Sequence, residues 1–507
     1  MKKALSFLAA FITLGAYAPS VWAFDFSATS PSGHTLYYTF RDDSTLSVSA
    51  NWNNCSGYLI IPDTVRYNNT VYQVSEIAAN AFSGDTTIIS VVIPSSIQTI
   101  ERTPFNNCTN LKEVYYYAIC PTIYGGSYMG TFAGCNSLEN VFVGDSVYWI
   151  PSYMFDQCPN LKYINIPSSL QAVGRDAFFQ CVGMRKVNFR GTMANWLSID
   201  FLNDAAQPLF YADSLVIGDS LVTEVVLNDN DTIIRIGEYS FSAYGRLEKV
   251  RLNNRIKIIG TAAFAGNFSL RDFTSSDSLI KIGERAFNAC PITSFTIPAS
   301  VTEIGARAFH NCRHLDTLYF NAIECSTIDS RYRRVFDGCD SLTSIIIGEE
   351  VHNIPDYLFS GCQSVNSITL PSSVLSIGEE SFSNCTAVAQ IYCHGTTPPQ
   401  IRYTTFQAIP TNIPISVPCG AASTYHNAPY WNVFQNIVED CNRIDNVDNT
   451  EIDIKTLNGR IIVEGAKDDE LQIFDMTGRI VRNEALQVGV YLVKVATLPT
   501  KKLVVVR

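Results

Sequence analysis

Residues 292–312 read ITSFTIPASVTEIGARAFHNC, and this stretch holds one copy of a unit that recurs along the chain. Ile292, Phe295 and Ile297 follow the pattern L-x-x-I-x-I, which is typical of a short strand with alternating inward residues. Pro298 ends that strand, because proline cannot donate a hydrogen bond to a strand ladder.

The second half of the unit contains a second set of inward residues, a bend and a helical turn. Val301 and Ile304 form a second inward patch, and Gly305 fits a fixed bend. Phe309 and Cys312 then lie on one face of a single helical turn. Each unit is therefore a strand, a turn, a short extended piece and a helical turn. None of these pieces is stable alone, so stacking on neighbours must stabilise them.

A phenylalanine marks each copy of the unit, usually with a cysteine three residues later. The phenylalanines are Phe82, Phe105, Phe132, Phe155, Phe178, Phe241, Phe264, Phe287, Phe309, Phe336, Phe359 and Phe382. Seven of the eleven gaps between them are 23 residues long. A fixed period of this size predicts a solenoid of stacked coils, mainly β with a short helical turn in each coil.

Three gaps of the array are longer than the period. The 63-residue gap between Phe178 and Phe241 predicts one or two degenerate coils, with Phe201 or Phe210 in the phenylalanine role. The two 27-residue gaps predict loops around Tyr124–Tyr128 and Thr327–Arg333. Such insertions project from one face of a solenoid, which is often the binding face.

The fifteen cysteines do not form a disulfide framework. Nine share the place three residues after the phenylalanine, where they point inward as small hydrophobic residues with free thiols. Zinc is the alternative, but no C-x-x-C pair occurs and a ladder of sulfurs does not make a tetrahedron. Cys419 and Cys441 flank the end of the array and are candidates for a disulfide. The sequence leaves the state of the others open: Cys55, Cys120, Cys325 and Cys393.

The N-terminus predicts export. Lys2 and Lys3 precede the apolar stretch Ala4–Ala18, and Val21-Trp22-Ala23 offers small residues for cleavage, so residues 1–23 are interpreted as a signal peptide. No cysteine near the cut would take a lipid anchor, and no later apolar stretch is long enough to span a membrane. The net charge of −11 argues against a nucleic-acid partner.

The chain divides into segments of different pattern. Residues 24–57 are strand-like and predict a β cap, residues 58–414 form the solenoid, and residues 415–440 form a terminal cap with a helical stretch from Ser423 to Gln435. Residues 441–450 are polar and are interpreted as a linker. Residues 451–507 alternate between strands and tight turns and predict a small β-sandwich.

Three phrases carry a family resemblance: SLIKIGERAFNAC (278–290), IPASVTEIGARAFHNC (297–312) and LPSSVLSIGEESFSNC (370–385). They resemble the BspA-type leucine-rich repeat family of bacterial surface proteins, and the likeness covers about residues 25–440. It implies a leucine-rich repeat solenoid that is exported, adhesin-like and without a catalytic site. Its ligands would include host matrix proteins or other bacteria. Apart from the resemblance, we expect the partner to be an extracellular protein or a glycan.

The tail carries a second resemblance. FDMTGRIV (474–481), GVYLVKV (489–495) and KKLVVVR (501–507) are similar to the C-terminal sorting domain of type IX secretion cargo in Bacteroidetes. Gln487-Val488 departs from the family's more usual Leu-Pro-x before GVY. The resemblance implies that secretion machinery recognises this domain, and that the protein is secreted or held at the outer membrane.

A strip of outward residues is the candidate binding site. In the first strand of each coil, one residue should point outward at an equivalent position, so that these residues line up along the array. They are Val92, Tyr115, Phe142, Asn165, Asn188, Arg251, Thr274, Thr296, Tyr319, Ile346, Thr369 and Tyr392. Exposed Tyr, Phe and Arg are favoured in binding patches. The candidate ligand-binding residues are Tyr115, Phe142, Tyr163, Arg251, Tyr319 and Tyr392. The alternative is that surface strands favour Tyr and Thr anyway.

The sequence shows no catalytic, cofactor or metal motif: no nucleophile elbow, P-loop or H-E-x-x-H occurs. His310 and His314 lie four residues apart around Cys312, yet are explained as exposed coil histidines. We therefore expect a monomeric, non-enzymatic binding protein. A glycan-processing scaffold and a purely structural spacer are the alternatives. Asp-Ser/Thr triplets that resemble an O-glycosylation signal begin at Asp63, Asp145, Asp213, Asp277 and Asp340.

Overall fold

The computed structural model describes residues 24–50, 55–119, 121–123, 130–328 and 334–441, and six strands between residues 454 and 506. The predicted signal peptide, nearly all of both predicted loops and the predicted linker after Cys441 lie outside these residues.

The chain from residue 57 to residue 440 winds as a solenoid with two runs of parallel strands. The front strands are Gly57–Ile60, Ile88–Ile93, Glu113–Tyr116, Asn140–Val143, Tyr163–Pro167, Lys186–Arg190, Ser214–Ile217, Glu224–Val226, Lys249–Arg251, Asp272–Thr274, Ser294–Ile297, Thr317–Phe320, Ser344–Ile347, Ser367–Leu370, Gln390–Cys393, Pro414–Pro418 and Asn436–Asp440. The back strands are Thr70–Ile77, Thr99–Ile100, Thr122–Ile123, Trp149–Ile150, Ala172–Val173, Asp200–Phe201, Arg235–Ile236, Ile258–Ile259, Lys281–Ile282, Glu303–Gly305, Ser326–Ile328, Asn353–Ile354 and Ser376–Ile377.

The core lies between the front and back strands, as the alternating pattern predicts. On the front strands Val114, Val141, Ile164 and Val187 are aligned in register, and all four are fully buried. In the coil at 292–312 the front strand ends at Ile297, immediately before the proline. The predicted solenoid of coils about 23 residues apart is confirmed.

Antiparallel strands cover the first edge of the array. Phe26–Thr29, Thr35–Phe40 and Thr45–Ser49 pair in sequence, and Thr45–Ser49 then pairs in parallel with the back strand Thr70–Ile77. Thr64–Tyr67 forms a hairpin with the same back strand. These strands occupy the back edge that would otherwise offer unpaired backbone groups.

The phenylalanine turn differs from the regular helical turn that the sequence suggests. In the coil of Phe287 the N–H groups of Arg285, Phe287 and Ala289 donate to the next coil, at 3.0, 2.8 and 2.8 Å. The N–H groups between them close reverse turns within the coil. Arg285 and Ala289 have φ of 53° and 60°, the left-handed region. A helix would direct all these N–H groups along its own axis and leave none for the neighbour.

The phenylalanine rings stack along the array. Phe82 and Phe105 lie 4.8 Å apart between ring centroids with an interplanar angle of 5°, and the column continues past Phe382 to Phe406 at 5.8 Å. Phe406 has Ile409 three residues later instead of a cysteine, which is why the sequence pattern missed this coil. The rings therefore form an apolar spine in two runs, from Phe82 to Phe178 and from Phe241 to Phe406.

The buried thiols have a hydrogen-bonding role. Eight of the nine repeat cysteines donate to the carbonyl of the phenylalanine one coil earlier, as Cys158 does to Phe132 O at 3.2 Å. Burial raises the pKa of Cys181 and of Cys290 to about 12. All nine are free thiols, as predicted, and so are Cys325 and Cys393. Cys419 and Cys441 form a disulfide.

The irregular segment does not place Phe201 or Phe210 in the phenylalanine column, so that prediction is wrong. Phe178 N–H donates to Ala205 O, which puts the fully buried Ala206 at the phenylalanine position. Phe201 lies in a back strand, and Phe210 is exposed. Trp196, on helix α1 (Met193–Leu197), is fully buried, and its indole contacts Phe201 and Phe241. Two 3-10 turns follow α1, at Asp204–Ala206 and Pro208–Phe210, and a short antiparallel strand lies at Ser220–Leu221.

The terminal cap is less helical than Ser423–Gln435 suggests. Helix α2 spans Ala422–Asn427, and a separate 3-10 turn spans Trp431–Val433. Pro429 lies between them, where a continuous helix would lose a backbone donor. Trp431 is buried against Phe406 and Tyr425 and closes the end of the core.

The C-terminal strands are antiparallel. Ile454–Leu457 pairs with Arg460–Val463, and Leu471–Phe474, Ile480–Val481, Gly489–Val495 and Lys501–Val506 form a second sheet. Asn458-Gly459 and Thr477-Gly478 lie between strands but outside the described residues. The packing of the two sheets as a sandwich stays a prediction.

The glycine column on the back of the solenoid is required by close packing between coils. A Cβ at Gly283 would lie 2.6 Å from Gly260 C and 2.7 Å from Thr261 N, and a Cβ at Gly305 would lie 2.5 Å from Glu284 N. None of these glycines has a positive φ. The bend is therefore set by the backbone of the preceding coil, which leaves no room for a side chain.

Gly283→Ala should lower the free energy of unfolding by about 1–3 kcal/mol, because the added methyl group must displace backbone atoms. Gly245→Ala is the matched control, since a Cβ there meets nothing within 4 Å. Its effect should stay within about 0.5 kcal/mol. Urea denaturation followed by circular dichroism measures both, and equal midpoints would contradict the close-packing argument.

Asn267 takes the cysteine position in the coil of Phe264. Its Nδ2 donates to Phe241 O and Phe264 O, both at 2.7 Å, while its buried Oδ1 has no hydrogen-bond partner among the described residues. Asn267→Cys should raise the free energy of unfolding by about 1 kcal/mol, because it removes the unpaired acceptor and keeps a donor. Asn267→Val removes the donors too and should lower it by about 1–3 kcal/mol. A less stable cysteine variant in urea titration would rule out the thiol's donor role.

Candidate binding surface

The front strands present two outward columns. The strand register aligns Val92, Tyr115, Phe142, Asn165 and Asn188 across successive coils, as predicted for the candidate strip. A second column, two residues earlier in each strand, aligns Glu113, Asn140, Tyr163 and Lys186. Tyr163 therefore lies beside the predicted strip and not within it.

The N-terminal part of this surface is aromatic. The rings of Tyr115 and Phe142 stack with centroids 4.7 Å apart and an interplanar angle of 8°. Tyr58, Tyr117 and Tyr163 are exposed on the same front strands or directly after them, and Tyr58 has 49% of its surface exposed. We call these five residues the aromatic patch.

A hydrogen bond fixes the orientation of the Tyr115 ring, and an ion pair lies at the edge of the patch. Tyr115 donates its hydroxyl hydrogen to Glu113 Oε2 at 3.1 Å. Partial burial, and then the bond to the Glu113 carboxylate, raise the pKa of the Tyr115 phenol. Lys162 and Glu139 form an ion pair of 3.0 Å at the edge of the patch. The patch is thus an apolar centre with charges at its rim.

Glycine 144 explains the position of Tyr117. A Cβ on Gly144 would lie 2.4 Å from Cδ1 of the Tyr117 ring, so the ring lies directly over the bare backbone. Tyr58 and Tyr117 were not among the sequence candidates. Tyr58 could have been found from the second outward column, but Tyr117 follows the strand end, where alternation gives no direction.

The other three candidates do not join the aromatic patch. Beyond Ser214–Ile217 the chain turns back in the antiparallel strand Ser220–Leu221, and parallel pairing resumes at Glu224–Val226. Arg251 lies after this interruption, with its Nη2 3.8 Å from Asp272 Oδ2. Tyr319 lies between Thr296 and Ile346, and Tyr392 donates to Gln390 Oε1 at 2.9 Å. The strip is therefore divided.

Two groups of side chains in the described residues have the types of atoms that bind metals, but those atoms already contact other residues of the chain. His310 Nδ1 lies 3.0 Å from Asn288 Oδ1 and its Nε2 lies 3.6 Å from Asp337, while burial lowers its pKa. The sulfur atoms of Cys419 and Cys441 lie near Glu439 but are bonded to each other. These contacts account for both clusters without a metal.

Comparison with protein families identifies the repeat. The model of the BspA type Leucine rich repeat region matches in six copies, over residues 75–204, 234–332 and 329–428, which is more than half of the chain. This chain belongs to the BspA-type leucine-rich repeat family. Proteins of this family are typically secreted or at the cell surface and are generally non-enzymatic.

Solved structures of bacterial leucine-rich repeat proteins are similar to this chain. A protein from Bacteroides ovatus is 23% identical, with a TM-score of 0.48, and the alignment covers 82% of this chain and all of that one. One from Eubacterium ventriosum is 20% identical, with a TM-score of 0.42 and coverage of 76% and 95%. The pneumococcal vaccine antigen PcpA is 16% identical, with a TM-score of 0.37 and coverage of 82% and 99%. Comparison with curated proteins finds no significant match.

Within the part of the chain that the structure describes, no helix is long and apolar enough to cross a bilayer.

Proposed function

We propose that this protein is exported and binds an extracellular protein through the aromatic patch, in the manner of an adhesin. The observation that supports this proposal most strongly is the half-buried, stacked pair Tyr115–Phe142, with three exposed tyrosines around it. Monomeric proteins rarely leave such aromatic groups together on their surface unless they bind something. Tyrosine is also among the residues that contribute most to the affinity of protein interfaces.

The rigidity of the patch supports this proposal. Tyr115, Phe142 and Tyr163 stand on strands whose backbones are hydrogen-bonded on both sides, and the stack holds two rings in place before a ligand arrives. Ordering these side chains therefore costs little on binding, which favours affinity. The rim charges at Glu113, Glu139 and Lys162 would select the partner's orientation.

The chemistry of the surface favours a protein over a nucleic acid. The chain carries a net charge of −11, which repels a phosphate backbone. The aromatic patch also has the composition of a protein interface core, with tyrosine and phenylalanine at the centre and charged residues outside. A structural spacer without a ligand would not need such a patch.

We further propose that residues 1–23 direct export and that residues 451–507 act as a type IX sorting domain. The supporting features are the basic and apolar N-terminus and the tail phrases FDMTGRIV, GVYLVKV and KKLVVVR. The antiparallel strands between Ile454 and Val506 are compatible with a compact β domain that machinery could recognise.

Replacing both stacked rings, Tyr115→Ala with Phe142→Ala, should weaken capture of the protein ligand about 30-fold. This factor corresponds to ~2 kcal/mol, the usual effect of an interface hot spot. Biolayer interferometry of the full mature chain against host matrix proteins and bacterial cells measures the loss. The melting temperature should stay unchanged, because both rings point away from the core.

Tyr319→Ala with Ile346→Ala is the matched control, because these residues are neighbours in the same column beyond the interruption. This pair should change the affinity by less than about twofold. If both double variants bind as tightly as the wild-type chain, the patch is not the binding site. If both lose affinity equally, the ligand contacts the whole strip instead.

Deleting residues 445–507 tests the sorting role while keeping the disulfide between Cys419 and Cys441. The truncated protein should stay in the periplasm, because the machinery would lack its recognition domain. Surface protease accessibility and fractionation locate it. Deletion of residues 2–23 is the control, which should leave the protein in the cytoplasm. Unchanged surface display of the truncated chain would exclude the sorting role.

A further inference from the structure

The back of the solenoid carries a polar groove near its C-terminal end. Asn353, Ser376 and Gln400 occupy the same register position on successive coils and form its floor. Asp356, Arg402 and Tyr430 form its walls. These six residues define the back groove, which has a volume of about 480 Å³. That volume lies within the range of small-molecule sites, about 300–1,000 Å³.

The floor changes character along the array. In earlier coils of the array, the same position on the back strands holds Lys281 and Glu303, which form an ion pair between neighbouring coils. In the back groove it holds short hydroxyl and amide side chains instead. Asn353 donates through Nδ2 to Cys325 O at 3.1 Å, so its orientation is fixed. Its buried Oδ1 has no hydrogen-bond partner among the described residues.

The walls supply one charge of each sign. Asp356 Oδ1 accepts from the Glu379 N–H at 2.6 Å, which fixes the carboxylate. Gly378 makes room for it, since a Cβ there would lie 2.2 Å from Asp356 Oδ1. Within the described chain neither Asp356 nor Arg402 forms a side-chain ion pair. The two charges balance, so the groove favours a neutral ligand rich in hydrogen-bonding groups.

Aromatic rings extend the groove at its open end. Tyr430 also borders a neighbouring cavity of about 240 Å³, which Tyr403 lines as well. The two rings are 6.5 Å apart at 67°, and Tyr403 has 81% of its surface exposed. Tyr430 adopts a left-handed φ of 67° next to the buried Trp431, whose Nε1 donates to Pro399 O at 2.8 Å.

We propose that the back groove binds a neutral oligosaccharide. A sugar presents hydroxyl groups in many directions and an apolar C–H face, and the groove offers fixed acceptors, donors and exposed rings that match both. The groove lies on the face opposite the aromatic patch, so the protein would hold a glycan and a protein ligand at the same time.

Saturation-transfer NMR with the full mature chain tests the proposal, using maltotriose, cellotriose, mannotriose and triacetylchitotriose as probes. At least one trisaccharide should bind with a Kd below about 1 mM. Tyr403→Ala with Asp356→Asn should weaken that binding at least about tenfold, through loss of ring contact and charge. The asparagine keeps an acceptor for Glu379 N–H, and Tyr403 is too exposed to support the core, so the fold is retained.

Two controls separate this site from the aromatic patch. Tyr319→Ala removes an exposed ring of the front face and should leave saccharide binding unchanged. Tyr115→Ala with Phe142→Ala should likewise leave it unchanged, whatever its effect on the protein ligand. Absence of any Kd below about 1 mM among the four probes would overturn the proposal. So would equal affinity in the wild-type chain and the Tyr403/Asp356 variant.

Discussion

The spacing between neighbouring coils is the constraint on which the rest of the structure depends. Three ladders share it: the front strands, the back strands and the turns that carry the phenylalanines. In those turns alternate N–H groups point to the next coil, as Phe287 N–H does to Ala308 O. This geometry needs left-handed residues on both sides of the ring, most of which are not glycine. Each costs about 1–2 kcal/mol, which the hydrogen bonds and stacked rings of the neighbouring coil must offset.

The same spacing decides which residues are available for function. Side chains between the two runs of strands form the packed core, so they cannot contact a ligand. At the glycines on the back, the backbone of the preceding coil leaves no space for a side chain. Variation is therefore possible in the outward columns and at the ends of the array. Both proposed sites lie there: the aromatic patch in the first third, where rings replace polar residues, and the back groove near the terminal cap, where short polar residues replace ion pairs.

Sequence periodicity predicts the coils and the direction of most side chains, because both depend on local pattern. It does not predict features that depend on the neighbouring coil. Ala206 takes the phenylalanine position just before the coil of Phe241, whose ring contacts the buried indole of Trp196, ten residues earlier than Ala206. The glycine at position 283 reflects contact with Gly260 rather than its own conformation. Of the candidate site, the strip register follows from alternation, whereas Tyr117 and the back groove arise from parts of the chain that meet only after stacking.

The buried thiols matter most before the fold is complete. In the finished solenoid each repeat cysteine is buried, and burial raises the pKa of thiols such as Cys181 and Cys290, so oxidants do not reach them. In the unfolded chain the same cysteines are exposed, equivalent and about one coil apart, so any two of them can pair wrongly in an oxidising space. In such a compartment the coils must therefore stack before their cysteines oxidise. The disulfide that the described residues contain lies at the end of the array, outside the run of repeat cysteines.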